Sequence, residues 1–184
     1  MHFFIKGLLM HISRFITVSL LTTLAVFSAH GQSRQSSDLG FYGEVGYAPI
    51  DLKSDAGGTS TPKTVRFILG KDINQNLAVE GMYMTTLSKD SRVGFEGTTS
   101  NYGIALKPKM ALTENTDLFA RVGWSHANIT ASAAGAHTGT DFIYGLGVQT
   151  NITKSVYGQL DYMSYFDKDG ISAKGYSLSI GTRF

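Results

Sequence analysis

Lys174-Gly-Tyr-Ser-Leu-Ser-Ile-Gly-Thr-Arg-Phe184, the last stretch of the chain, alternates with a period of two. From Tyr176 the alternate positions are Tyr176, Leu178, Ile180, Thr182 and Phe184, with Ser177, Ser179, Gly181 and Arg183 between them. Successive side chains of a strand point to opposite faces, so this is a β-strand with one apolar and one polar face. In a soluble protein the apolar face would lie on a core; beside lipid it would lie outward. Both readings fit the stretch alone, and the remainder of the chain has to separate them.

Seven earlier segments read the same way: Phe41 to Asp51, Thr64 to Ile73, Leu77 to Thr86, Thr99 to Met110, Asp117 to Thr130, Thr140 to Thr150 and Ser155 to Phe166. Gly175 to Phe184 is the eighth. Each is long enough to cross a bilayer, for which roughly 9–11 tilted residues suffice, and none carries a helical period. The connections alternate in kind. Long Gly/Ser/Thr-rich ones, Leu52–Lys63, Leu87–Thr98, Ala131–Gly139 and Asp167–Lys174, follow the odd segments. Short ones, at Asn74-Gln-Asn76, Thr113-Glu-Asn-Thr116 and Asn151-Ile-Thr-Lys154, follow the even segments. Short turns on one side and long loops on the other is the plan of a membrane barrel, though soluble up-and-down barrels also have eight antiparallel strands.

Face chemistry decides between them. Taking each segment's apolar phase as outward places Val45, Phe67, Leu69, Val79, Ile104, Leu106, Val122, Leu146 and Leu160 outside. Outward aromatics are Tyr83, Trp124, Tyr144, Tyr162 and Tyr176, suited to interfacial belts. The opposite phase holds Glu44, Arg66, Glu80, Lys107, Arg121, Asp161 and Arg183, spaced by glycines. A soluble barrel would invert this arrangement. A Lys or Arg on the lipid face near mid-bilayer costs roughly 2–4 kcal/mol, so charges are sorted inward. Lys71 and Lys174 depart from the rule near strand ends, where a long side chain reaches the polar boundary. The expected fold is therefore all-β, an eight-stranded antiparallel up-and-down transmembrane β-barrel. Its narrow interior should be filled by side chains. Three acids and four bases are expected to pair there as a plug, with the glycines making room for long arginines. The competing reading of the same residues is a narrow pore.

Composition agrees. Charged residues make up 16% of the 184, glycine is plentiful at 21, proline scarce at 3, and cysteine absent; a soluble domain carries about a quarter charged residues. Phe15 to Phe27 is a nearly unbroken apolar run after Arg14 and before Ser28-Ala-His-Gly31. That pattern marks residues 1–31 as a cleaved export leader, with Met1 or Met10 as initiator. Residues 32–39 then form a short periplasmic lead and residues 40–184 the barrel. Of the 16 bases two, Lys6 and Arg14, fall in the leader, leaving 14 to match 14 acids. A neutral mature chain gives nucleic acid nothing to grip.

The layout resembles the small OmpA-type and opacity-type outer-membrane barrels. So do Gly145-Leu-Gly-Val-Gln149 leading into Asn151-Ile-Thr-Lys154, and Tyr157-Gly-Gln-Leu-Asp-Tyr162. The resemblance covers the whole mature chain and implies residence in the outer membrane of a Gram-negative bacterium. Implied partners are outer-membrane lipid and lipopolysaccharide, the barrel-assembly machinery, and an extracellular ligand met by the loops; a monomer is expected. It also implies that Tyr176, Leu178, Ile180 and Phe184 form a C-terminal assembly signal, with Thr182 standing where another apolar residue is usual. Larger OmpA proteins add a peptidoglycan-binding domain, and none is expected here. The family shares no catalytic residues, metal or cofactor, and none is expected.

A search for chemistry finds little. Some eight-stranded outer-membrane barrels are lipid-modifying hydrolases with a His/Ser/acid arrangement near the rim. Here Ser125 and His126 are adjacent on one strand and point to opposite faces, which leaves only Ser132 or Asp141 as partners for His126. Asn128-Ile-Thr130 and Asn151-Ile-Thr153 match the glycosylation pattern without a reason to be modified, and Asp167-Lys-Asp-Gly170 reads as a hairpin turn rather than a calcium loop. The expected function is structural and surface-interacting, not enzymatic. Transport of small solutes or lipids is the alternative.

Overall fold

A computed structural model describes residues 40–55, 58–89, 97–131 and 135–184. The expected leader and lead lie outside the described residues. The strands are β1 (Phe41–Ser54), β2 (Thr59–Ser60), β3 (Lys63–Asn74), β4 (Leu77–Ser88), β5 (Gly97–Ala111), β6 (Thr116–Ala131), β7 (Gly135–Asn151), β8 (Val156–Lys168) and β9 (Ile171–Arg183). Neighbours pair antiparallel, and β1 pairs with both β3 and β9, so eight long strands close on themselves. β2 is a two-residue ribbon on the far end of β1, through Leu52↔Ser60. Closure leaves no sheet edge along the paired length, as a hydrocarbon surrounding demands. All eight expected strands are present in the expected order.

Short turns are made by side-chain capping. Asn74 Oδ1 accepts the backbone N–H of Asn76 at 2.8 Å, and Thr153 Oγ1 accepts that of Val156 at 2.9 Å. Such local bonds replace the ladder where the chain reverses.

The other end differs from expectation. The stretch Asp167–Lys174, expected as a long loop, is strand up to Lys168 and again from Ile171. Asp169 and Gly170 both have positive φ, 56° and 72°, the backbone of a two-residue hairpin turn whose twist matches the flanking strands. β6 and β7 likewise stay paired to Ala131↔Gly135, consuming most of the expected loop Ala131–Gly139. Small Ser, Thr and Ala residues are compatible with strand, and pairing continues through them.

Along this extension the polarity of the wall reverses. Below it, the outward positions are apolar: Val45 and Tyr47 on β1, Val122 and Trp124 on β6, Leu178 and Tyr176 on β9. Farther along, past Pro49 on β1 and His126 on β6, the outward positions are Asp51 and Lys53, then Asn128 and Thr130, and on β9 Lys174 and Ser172. The inward positions change in the opposite sense, from charged to aliphatic. Ile50, Leu52, Met84, Ile129, Ile143, Phe166 and Ile171 pack as a buried cluster at this end. A wall that is apolar outside and polar inside suits lipid; one that is polar outside and apolar inside suits water. The change falls at a row of outward aromatics in mutual contact, Trp124 with Phe142, Phe142 with Tyr144, and Tyr162 with Tyr176.

Candidate functional site in the barrel lumen

Alternation turns at least one charged or polar side chain from each of the eight long strands into the middle of the barrel, and they meet there. Arg121 from β6 is the hub. Its Nε donates to Glu80 Oε2 on β4 at 2.5 Å, Nη1 to Asp161 Oδ2 on β8 at 2.7 Å, and Nη2 to Glu44 Oε2 on β1 at 3.1 Å. One guanidinium thus contacts all three acids, as its fork of five donors permits. Arg66 on β3 makes the second centre, donating to both oxygens of Asp161 at 2.9 and 2.5 Å, to Tyr165 Oη at 2.8 Å and to Ser179 Oγ on β9 at 3.2 Å.

Lys107 on β5 is held differently. Its Nζ donates to Gln149 Oε1 on β7 at 3.0 Å and Gln159 Oε1 at 2.9 Å, lies 3.4 Å from Glu80 Oε1, and sits 4.5 Å from the Phe119 ring centre. Tyr42 Oη donates to Glu80 Oε1 at 2.7 Å. Arg66, Lys107 and Arg121 are each 1% exposed. Charges so far from water persist only when paired, and here three bases face three acids.

Of the seven charges expected in the lumen, six meet. Arg183 does not join them: it lies at the short-turn rim, donates to Asn151 Oδ1 at 3.0 Å and stacks 4.7 Å over Tyr157. A pair not foreseen, Lys109 with Asp72 at 2.5 Å, lies at the same rim. Both residues continue the inward phase of their strands, which was the available signal. The inward tyrosines Tyr42 and Tyr157 were missed as well, and they correct the expected role of the glycines. A Cβ on Gly70 would stand 2.1 Å from the Tyr42 ring, and one on Gly181 2.3 Å from the Tyr157 ring. These glycines make room for tyrosines, not arginines.

At the C-terminus, Tyr176, Leu178, Ile180 and Phe184 all lie on the exposed outer wall, and the Phe184 N–H donates to Phe41 O at 2.9 Å. Lys71, one of the outward exceptions, rests its ammonium 5.1 Å over the Phe41 ring; the other, Lys174, donates to Asp167 at 2.6 Å. Ser125 and His126 take opposite faces as expected. Ser125 Oγ is buried and donates to Tyr165 O at 3.2 Å, whereas His126 Nδ1 lies 3.0 Å from Thr140 Oγ1 on the outside. Asp141 does not meet His126: its Oδ2 accepts the Asp167 N–H at 2.6 Å. Ser132 lies outside the described residues.

Residues 19–184 match the family described as outer membrane protein beta-barrel domain. The chain belongs to that family. It is an integral protein of the bacterial outer membrane, and in barrels of this kind the short turns are periplasmic and the longer connections extracellular. Among solved structures, this outer-membrane barrel is similar to Ail, the attachment invasion locus protein of Yersinia pestis. The identity is 21% over 79% of this chain and 99% of Ail, with a TM-score of 0.60. It is similar to Neisserial surface protein A at 15% identity over 79% and 97%, TM-score 0.63. It is also similar to the N-terminal barrel of Pseudomonas aeruginosa OprF, at 12% over 77% and 97%, TM-score 0.53. At these identities the likeness is one of fold. No curated protein matches the sequence.

Proposed function

We propose that this outer-membrane barrel is a sealed, non-enzymatic stem that carries a rigid polar wall above the membrane for contact with extracellular ligands. The observation behind this reading is the reversal of wall polarity at the aromatic row. A barrel serving only to span the bilayer has no use for strands that continue into water with their own aliphatic core. The continuation is sheet, and sheet presents fixed rows of side chains where a loop would not. The paired charges of the lumen and the aliphatic cluster above them act in series as a plug.

Two measurements test this. Reconstituted in planar bilayers, the protein should give rare or no conductance; large, steady channels would favour the pore reading. Bacteria displaying the barrel should attach to host cells or matrix polysaccharide. Replacing residues 128–138, the tip of the β6–β7 hairpin, by a short glycine turn should lower attachment while the stem still folds. Ail has been crystallised with the heparin analogue sucrose octasulfate, and that polyanion is a suitable first probe. Attachment unchanged by loss of the hairpin tip would refute the surface role assigned to it.

A further inference from the structure

Above the aromatic row the cylinder parts along two seams. On the first, β4 and β5 pair from Leu77↔Pro108 to Thr85↔Ser100 and stop, although β4 runs on to Ser88 and β5 begins at Gly97. One side chain closes that gap: Thr86 Oγ1 accepts the Thr99 N–H at 2.8 Å and donates to the Thr99 carbonyl at 3.0 Å. On the second seam, β7 and β8 pair only from Asn151↔Tyr157 to Tyr144↔Ser164. Just beyond, β8 carries a register shift between Ser164 and Phe166 and turns inside the wall. There the inward Ser125 Oγ of β6 donates to Tyr165 O at 3.2 Å. β7 continues up to Gly135 with β6 on one side and, among the described residues, no ladder partner on the other.

Alternation fixes which groups face the open side. In an antiparallel strand, successive residues direct their N–H and C=O to opposite neighbours. Asn151 N–H donates to Asn115 O, beside the start of β6, and Ile152 N–H to Val156 O in β8. Odd residues of β7 therefore face β6 and even ones face the second seam, because the β6–β7 register runs without a shift up to Ala131↔Gly135. Phe142 N–H is taken by Asp141 Oδ1 at 2.8 Å, and Asp141 Oδ2 accepts the Asp167 N–H at 2.6 Å. That carboxylate caps the foot of this seam as Thr86 caps the other. Above it, Ala136, Thr138 and Thr140 turn their N–H and C=O groups to the seam, with no backbone partner among the described residues. Exposed edges are ordinarily blunted by proline or charge. Gly135–Thr140 contains no Pro, Lys, Arg, Asp or Glu.

We infer that this edge takes an added strand: an extended polypeptide segment from outside the cell pairs with Gly135–Thr140 through the backbone of Ala136, Thr138 and Thr140. The inference deepens the surface role proposed above, on which it rests, by giving that surface a class of partner. Membrane geometry favours a free segment over a second copy of this chain. Two barrels in one membrane both run β7 toward the periplasm, tilted about 35–45° in the same sense. Where they face each other, the two edges cross instead of lying alongside, and no ladder extends past the crossing. A segment that arrives unfolded has no such constraint. In strand addition the backbone bonds supply affinity and alternate side chains supply preference. Beside the exposed Thr138 and Thr140, β-branched partners suit cross-strand packing.

The test is fluorescence anisotropy of a labelled Thr-Val repeat peptide, flanked by lysines to keep it monomeric, against the whole barrel in phosphatidylcholine nanodiscs. A twin peptide is N-methylated at two adjacent central residues, which blocks both of its edges and leaves every side chain in place. The parent peptide should bind saturably, and the twin about tenfold more weakly or worse. Thr138→Pro removes the central donor of the edge without touching the β6 ladder, a position where strands tolerate proline. It should weaken the parent peptide likewise, whereas Thr138→Val, which keeps the N–H, should not. Each variant is first checked for heat-modifiable gel migration, which reports a closed barrel. If Thr138→Pro fails to close, the two peptides against the unaltered barrel still decide. Equal binding of both peptides, or binding of neither, would overturn the edge assignment. Should attachment fall with loss of the hairpin tip while neither peptide binds, the edge is overturned and the surface role stands.

Discussion

Replacing Arg121 by methionine, close in length but uncharged, tests whether the lumen network holds the barrel together. The loss is unevenly distributed. Asp161 keeps both of its bonds to Arg66, and Glu80 keeps the Tyr42 hydroxyl and the Lys107 ammonium at 3.4 Å. Glu44 has only Arg121 as an ion-pair partner among the described residues, so the substitution strands one carboxylate at about the barrel's centre. Breaking a buried pair from one side costs about 3–5 kcal/mol, roughly a hundredfold to several-thousandfold in the folding equilibrium. Urea unfolding from lipid vesicles would measure it, followed by the fluorescence of Trp124, the chain's single tryptophan. The design includes a rescue: adding Glu44→Gln removes the stranded charge and should recover most of the loss. An Arg121→Met variant within about 1 kcal/mol of the parent, less than the smallest cost expected for such a break, would refute the reasoning. So would a double variant no more stable than the single one.

Other outcomes follow from the same geometry. Leu146→Arg, in the lipid-facing band, should cost about 2–4 kcal/mol, while Thr140→Arg, above the aromatic row, should cost little; parallel unfolding curves compare them. Gly123→Ala drives a methyl against the Ile104 carbonyl and should lower the yield of heat-modifiable barrel, whereas Gly81→Ala should leave it unchanged. Phe184→Ser should reduce insertion into the outer membrane, measured by fractionation, more than it reduces the stability of molecules already folded. Equal insertion would remove the assembly role proposed for that residue.

Much of this was legible in the sequence because lipid is a strict solvent. Val122 and Trp124 could not share a phase with Arg121 without cost, so the periodicity of the band pointed to the six charges that meet in the lumen. The extracellular half was harder because its phase is reversed. Ile50 and Leu52 alternate with Asp51 and Lys53 as cleanly as any pair below, but in the opposite sense. A reading that expects one rule throughout takes the reversal for the end of the strand. Ile129 was hidden in the same way within Asn128-Ile-Thr130. At the site, the partners of each charge depended on side-chain reach across the barrel, which spacing along one strand does not encode. Arg183 shares the inward phase with Ser179, yet its height leaves it at the rim.

The network has a further consequence for how the cylinder is sealed. Each long strand supplies at least one member, and the last seam, between β1 and β9, has Glu44 on one side and Ser179 on the other. Slipping any strand by one residue would swing its polar member into the hydrocarbon; slipping by two would carry it away from the partners it meets at the correct height. Electrostatics therefore acts as a proofreader of alignment, penalising closures that backbone hydrogen bonding alone would accept.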